Sequence, residues 1–340
     1  MEITIDKIKV PDDVELYEIT LINDKGSQVK LLNYGATIEK ILIATANGLQ
    51  NMVLSLSAPE DYLKERTFLG AAIGRVAGRI REGIWQNESQ HLLSINEGRN
   101  HLHGGFSGFD TSFWSFETSH DEEQASVTFS LLDEIGKEGY PGNLQVEFKY
   151  TFKQNDELRL DIKGISDETT LFNPTSHVYF NLSSKDLTID NHYLQLNSPR
   201  FLPLDNENLP TGELRETVNS IFEFREAKKL ADIFNRTDLQ LIRQNGLNHP
   251  FLFDDVSQVT LNLPEEKRRL VLTTSLPSVV IYSGNHFDSS PVAGKIISQH
   301  AAVALEAQIP PSADNQLKDM ILEAHRPFNA WINWGFEVEE

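Results

Sequence analysis

The chain has 340 residues, with 30 Lys and Arg against 50 Asp and Glu, a formal charge of −20, and 39% hydrophobic and 9% aromatic residues. A surface this acidic repels phosphate backbones and anionic lipid, so no nucleic-acid and no membrane partner is expected, while the apolar fraction is enough for a sizeable core. Cysteine is absent, which removes disulfides, zinc–thiolate sites and thiol nucleophiles together.

Residues 1–10 set Ile3, Ile5 and Ile8 among charged neighbours, with no basic start leading into an apolar run, so no signal peptide is read. No apolar stretch approaches the ~20 residues that span a bilayer, and a cytoplasmic protein is expected. From there the dominant period is two. Strands are predicted over 17–22 and 29–32, joined by the turn signal Asn23-Asp24-Lys25-Gly26, and over 38–43. A short helix is predicted over 58–66. Val127, Phe129 and Leu131 then alternate with Thr128 and Ser130. Leu144, Val146, Phe148, Tyr150 and Phe152 alternate with polar residues, and so do Leu158, Leu160 and Ile162. Such alternation marks strands with one dry face. Further strands are predicted over 192–196, 270–274 and 279–283, with a second helix over 227–234. Between roughly 200 and 250 the pattern is irregular and proline-bearing, as in long connections that often carry binding residues. The fold class that follows is all-β, a large antiparallel β-sandwich with few short helices. No linker or repeat divides it, so residues 1–340 are read as a single domain.

Four segments carry candidate chemistry. In His101-Leu102-His103-Gly104-Gly105, residues two apart on a strand share a face. His101 and His103 could therefore form a metal pair of a cupin-like site, or a glycine turn with a solvated histidine. His177 sits in Asn173-Pro174-Thr175-Ser176-His177-Val178-Tyr179-Phe180, where small polar residues lead into apolar ones, as on a strand entering a polar cleft. Glu306 ends the apolar run Ala301-Ala302-Val303-Ala304-Leu305, and an unpaired buried carboxylate is costly. A base in a dry cleft is one purpose that explains it. Arg75 and Arg79 flank glycines in Gly74-Arg75-Val76-Ala77-Gly78-Arg79-Ile80, which lacks the Lys-Ser/Thr ending of a P-loop.

Taken in order, these segments resemble the aldose 1-epimerase (galactose mutarotase) family. The likeness covers the Gly74–Ile80 stretch, with Gly78 where the family commonly has Asn, and Asn100-His101-Leu102-His103-Gly104-Gly105 with Trp114. It continues through Glu138-Gly139-Tyr140-Pro141-Gly142, the His177 segment, Leu209-Pro210-Thr211-Gly212-Glu213, Phe222-Glu223-Phe224-Arg225 and Leu305-Glu306-Ala307-Gln308. The resemblance implies a β-sandwich of the galactose mutarotase type with a sugar cleft, and no cofactor or metal. The implied activity is interconversion of the α and β anomers of a free aldose such as galactose, glucose or maltose. It implies Glu306 as catalytic base, His177 as general acid and His103 as a second substrate-contacting histidine. Arg79 and Tyr179 would meet the sugar. So would Asn248, where the family usually has Asp, and His286, where it usually has Phe. A non-catalytic sugar-binding protein and a hexose-6-phosphate 1-epimerase, with Arg75 as its spare cation, are the rival readings. Monomer and homodimer both remain open.

Overall fold

The computed structural model describes residues 1–11, 14–235, 237–254 and 256–339. Three antiparallel sheets dominate. The largest has nine strands, in the order Ser115–His120, Gln124–Asp133, Leu144–Lys153, Glu157–Ser166, Phe328–Val338, Arg268–Thr274, Gln258–Leu263, Tyr193–Leu196, Lys228–Lys229. A six-stranded sheet runs Tyr179–Phe180, Val303–Gln308, Ser278–Tyr282, Asn248–Leu252, Arg200–Phe201, Arg215–Glu216. The first 51 residues supply a five-stranded meander from Glu2–Ile8 to Gly48–Asn51.

The period-two pattern explains how these sheets pack. Along Leu144–Lys153, Leu144, Val146, Phe148 and Tyr150 are buried while Gln145, Glu147 and Lys149 are exposed. Each large apolar side chain so removed from water contributes roughly 1.5–3 kcal/mol. One apolar cluster draws on all three sheets: Ile19 and Val29 from the meander, Phe148 and Leu160 from the nine-stranded sheet, Phe251, Ile281 and Leu305 from the six-stranded one.

The strand expectations hold, and the all-β fold with them. The helix expectations shrink. Over 58–66 the chain makes only a 3-10 turn, Pro59–Leu63, opened by the Asp61 carboxylate, which accepts the Ala58 N–H at 3.0 Å. Over 227–234 the chain first pairs as a strand, with Lys228 and Lys229 opposite Leu194 and Tyr193, and turns helical only at Leu230–Phe234. A second helix, Leu239–Gln244, is capped by the Asp238 side chain. Among the described residues no helix is long and apolar enough to cross a membrane.

Candidate active site

The site is laid out by register on the six-stranded sheet. Strand Val303–Gln308 is buried throughout. Val303, Leu305 and Ala307 enter the shared core, so alternation turns Ala304, Glu306 and Gln308 to the opposite face. Residues paired across an antiparallel ladder point the same way. One row of that face is therefore Asn248, Tyr282, Ala304 and Tyr179, and the next is Pro250, Val280 and Glu306. The ladder from Tyr179–Phe180, continued by two residues, would set His177 opposite Glu306. There it is broken. The His177 N–H goes instead to Ala71 O at 2.9 Å, and its carbonyl accepts from Gly70 N at 3.0 Å.

That break brings His177 Nε2 to 3.5 Å from Glu306 Oε1, with each residue only 4% exposed. Burial pushes the Glu306 carboxyl up, against the pull of the His177 and Arg79 charges. A carboxylate lifted this way is a stronger base than one in water. His177 Nδ1 is buried with no hydrogen-bond partner among the described residues, so no neighbour fixes the imidazole proton there.

The facing wall comes from a two-residue ladder, Arg79–Ile80 against His101–Leu102. The expectation that His101 and His103 share a strand face fails, because the strand ends at Leu102 and His103 takes a left-handed turn with φ 49°. His101 is instead spent on structure: its Nδ1–H donates to Ser94 O at 2.7 Å, and its Nε2 accepts from the Tyr140 hydroxyl at 2.7 Å. His103 is pinned by Gly78: its N–H donates to Gly78 O at 3.1 Å, and its Nδ1 accepts the Gly78 N–H at 3.1 Å. A ring nitrogen that accepts a hydrogen bond is unprotonated, so Nε2 carries the proton. Burial, then the charges of His177, Arg79 and Arg66, hold His103 well below the usual histidine range. It is thus a neutral Nε2–H donor.

His103, His177 and Glu306 offer ligand atoms within 4.8 Å of one another, a spacing a metal ion could use. The Gly78 contact opposes that use. A ligating histidine needs its other nitrogen to donate, usually to a carbonyl or carboxylate, and His103 Nδ1 does the reverse. The donor set suits a hydroxyl-rich ligand better than a metal.

A cleft of about 240 Å³ contains all seven residues singled out from the sequence: Arg79, His103, His177, Tyr179, Asn248, His286 and Glu306. Arg79 is clamped by Glu97, Nε to Oε2 at 2.9 Å and Nη2 to Oε1 at 2.5 Å. The Asn248 Nδ2 donates to Gln244 Oε1 at 3.0 Å. His286 lies exposed at the rim, its N–H on the Tyr282 hydroxyl at 3.0 Å. At Gly78 an added Cβ would meet only Gln308 and Pro311, at 3.8 and 3.9 Å, so glycine leaves that side open. Arg75 takes no part. It is 1% exposed, and Asp133, Glu134, Pro141, Gly142 and Thr170 absorb its donors.

Sequence reading missed several lining residues. Gln308 carried a signal, since it lies two residues past Glu306 on the same strand face. Tyr282 carried the same kind of signal, being paired with Ala304. Phe68 carried none: it lies in a left-handed turn at φ 59°, its ring 4.9 Å from His103 and 6.1 Å from His177. Arg66 sits over its outer face at 4.7 Å and is itself fixed by Asp110.

Comparison with known proteins gives the chain its family and fold. The family model described as aldose 1-epimerase matches residues 17–334. The aldose 1-epimerase of Haemophilus influenzae is 32% identical over 312 residues, 90% of each chain. That of Escherichia coli K12 is 32% identical over 341 residues, 97% of each. A crystal structure of galactose 1-epimerase from Lactobacillus acidophilus superposes with a TM-score of 0.92 at 39% identity, covering 100% of this chain and 99% of that one.

Proposed function

The chain belongs to the aldose 1-epimerase family and catalyses interconversion of the anomers of an aldose, and on that premise we propose that Glu306 and His177 are its acid–base pair. The observation that carries this reading is their 3.5 Å approach inside the buried end of the cleft. Mutarotation removes a proton from the anomeric hydroxyl and delivers one to the ring oxygen, and both oxygens are bonded to the same carbon. Acid and base must therefore stand a few Å apart on one small patch, as these two do.

In ring opening, Glu306 takes the hydroxyl proton and His177 Nε2 gives one to the ring oxygen as the bond to the anomeric carbon breaks. The open aldehyde rotates about its bond to carbon 2. In closure His177 takes back a proton from the attacking hydroxyl, Glu306 returns its own to the carbonyl oxygen, and the other anomer forms. No electrons or groups change hands, so side-chain proton transfer accounts for the whole cycle. Neutral His103 donates Nε2–H to a sugar oxygen throughout, and Arg79, Tyr179 and Asn248 hold the remaining hydroxyls so that either anomer reacts in place.

The cleft chemistry disfavours both rival readings. A sugar phosphate needs a free cation. Arg79 is the one Lys or Arg lining the cleft among the described residues, and Glu97 already neutralises it. A pure binding module has no need of a buried carboxylate beside a histidine. Residues 1–340 are taken as one unit, since the largest apolar cluster spans all three sheets. Polarimetry on freshly dissolved α-galactose, α-glucose and maltose tests the activity and its sugar. Acceleration of at least one is expected, and no acceleration of any would leave only a binding role.

A further inference from the structure

The wall of the cleft that carries Asn248 is assembled by a helix of six residues, Leu239–Gln244, that does not itself line it. Its two buried glutamines, four residues apart, share one helix face. Gln240 holds the Leu204 backbone at both ends, accepting its N–H at 2.7 Å and donating to its carbonyl at 3.0 Å. Gln240 Oε1 also meets His249 Nε2 at 3.1 Å. Gln244 holds side chains. Its Oε1 accepts from Asn248 Nδ2 at 3.0 Å, and its Nε2 donates to Asn208 Oδ1 at 2.7 Å. Asn208 and Asn248 both line the cleft, from two segments some 40 residues apart in the chain.

These bonds form a directed chain of amides. A primary amide is nearly symmetric in shape and turns over with little steric penalty, so only its partners decide whether oxygen or nitrogen meets a ligand. With Nδ2 committed to Gln244, Asn248 keeps Oδ1 for the cleft. It then offers a sugar what a carboxylate would offer, an acceptor, while remaining neutral. At the far end the same chain leaves Asn208 Nδ2 as a donor.

We propose that Gln244 is a positioning residue for sugar specificity, fixing the Asn248 amide with its oxygen toward the substrate. This rests on the reading of Asn248 as a sugar contact. Without Gln244 the Asn248 amide is free to swing aside as well as to turn over, and its hydrogen bond to the sugar is lost. The loss falls on sugar binding, because Glu306 stands on the neighbouring row and keeps its contact with His177.

The test is a kinetic double-mutant cycle with the sugar that wild type turns over fastest. Gln244→Met, similar in volume and without hydrogen-bonding groups, is expected to raise KM about fivefold, the worth of one neutral hydrogen bond, with kcat within about threefold of wild type. Asn248→Ala is expected to raise KM at least as much. The cycle is run in an Asn208→Ala background, so that release of the Asn208 amide does not enter it; adding Gln244→Met to Asn248→Ala should then change KM by less than about twofold, since no cleft amide held by Gln244 remains to orient. Independent, multiplying effects would overturn the proposal and make Gln244 merely structural. An unchanged KM in Asn248→Ala alone would instead overturn the sugar-contact reading. If Gln244→Met loses its fold by circular dichroism, Gln244→Glu replaces it. Its carboxylate still accepts from Asn248 Nδ2, and with Asn208 already alanine it turns over no second amide, so a KM near that of the background is expected, and a raised KM with normal kcat would refute the positioning role.

Discussion

The backbone N–H of Gly78 donates to Nδ1 of His103 at 3.1 Å, and the His103 N–H returns a bond to Gly78 O at 3.1 Å. This reciprocal pair settles which ring nitrogen carries the proton, and so separates two chemistries that the trio His103, His177 and Glu306 could otherwise serve. A metal would have to displace the Nε2 proton and turn Nδ1 into a donor facing another donor. Activity is therefore expected to survive exhaustive dialysis against a strong chelator, read by the same polarimetric rate. Activity that disappears on dialysis and returns with a divalent cation would show that the His103 tautomer has been misassigned.

Glu306→Gln keeps the shape of the side chain and removes the base proposed above. A rate loss of about 10²- to 10⁴-fold is expected, with an unchanged circular dichroism spectrum. A purified variant retaining more than about a tenth of the wild-type rate would place the base elsewhere.

The pH dependence follows from burial of the same carboxyl. In the role proposed above Glu306 takes a proton only when ionised, and burial holds its pKa above the ordinary value. The rate should be full above that raised pKa and fall as pH drops through it. The acid limb of kcat/KM should therefore lie above the ~4.3 of a free glutamate. An acid limb at or below that value would contradict a buried base.

A second buried carboxylate bears on stability alone. The meander slips register between Lys30 and Leu31, which leaves Glu39 as the extra residue of a bulge, fully buried and 2.8 Å from Lys40 Nζ. Burial first, and the adjacent Glu18 carboxyl second, push Glu39 up to about 7. Because its folded pKa lies above its unfolded one, the native state holds the proton more tightly. The associated stability is complete below about pH 4.5 and is lost as pH rises through 7. Glu39→Gln should match wild type at pH 4.5 and be more stable at pH 8.5, by about 1–3 kcal/mol. Urea unfolding at both pH values reads the difference, and equal midpoints at pH 8.5 would refute it.

Sugar preference is the remaining test. A neutral Asn248 binds hydroxyl donors less strongly than a carboxylate, whose charge-assisted bonds are about twice as strong. The expected ranking of kcat/KM puts glucose or maltose above galactose, with Asn248→Asp raising galactose relative to the others. A wild type that favours galactose tenfold, unchanged in ranking by Asp, would show that the neutral amide serves galactose equally well.

Much of this architecture was legible because the two patterns that matter are local. Alternation along 144–152 and 158–162 declares a wet and a dry face whatever the partner strand. A carboxylate at the end of the run 301–305 is anomalous in any fold. What could not be read depends on where the chain goes next. The His101–His103 spacing suggests one face, but the strand stops between them. Phe68 looks like any aromatic, because its place over His103 depends on an Arg66–Asp110 ion pair formed across 44 residues. Helix Leu239–Gln244 buries Gln240 and Gln244 along with Leu241 while Leu239 and Ile242 are exposed, so its apolar residues trace no single face and the helix is hidden.

The two rows of the six-stranded sheet have a consequence for how such a protein diversifies. Asn248, Tyr282 and Tyr179 stand on one rung, and Val280 and Glu306 on the next, with the His177 side chain reaching Glu306 from beyond the end of the ladder. On the roles proposed above, the first rung chooses the sugar and the second moves its protons. Backbone hydrogen bonds fix the spacing of the rungs independently of the side chains they carry. A lineage can therefore replace a selecting side chain, an acid by an amide for instance, and inherit the proton-transfer pair unaltered. Change of diet and conservation of chemistry become separate events on the same strands.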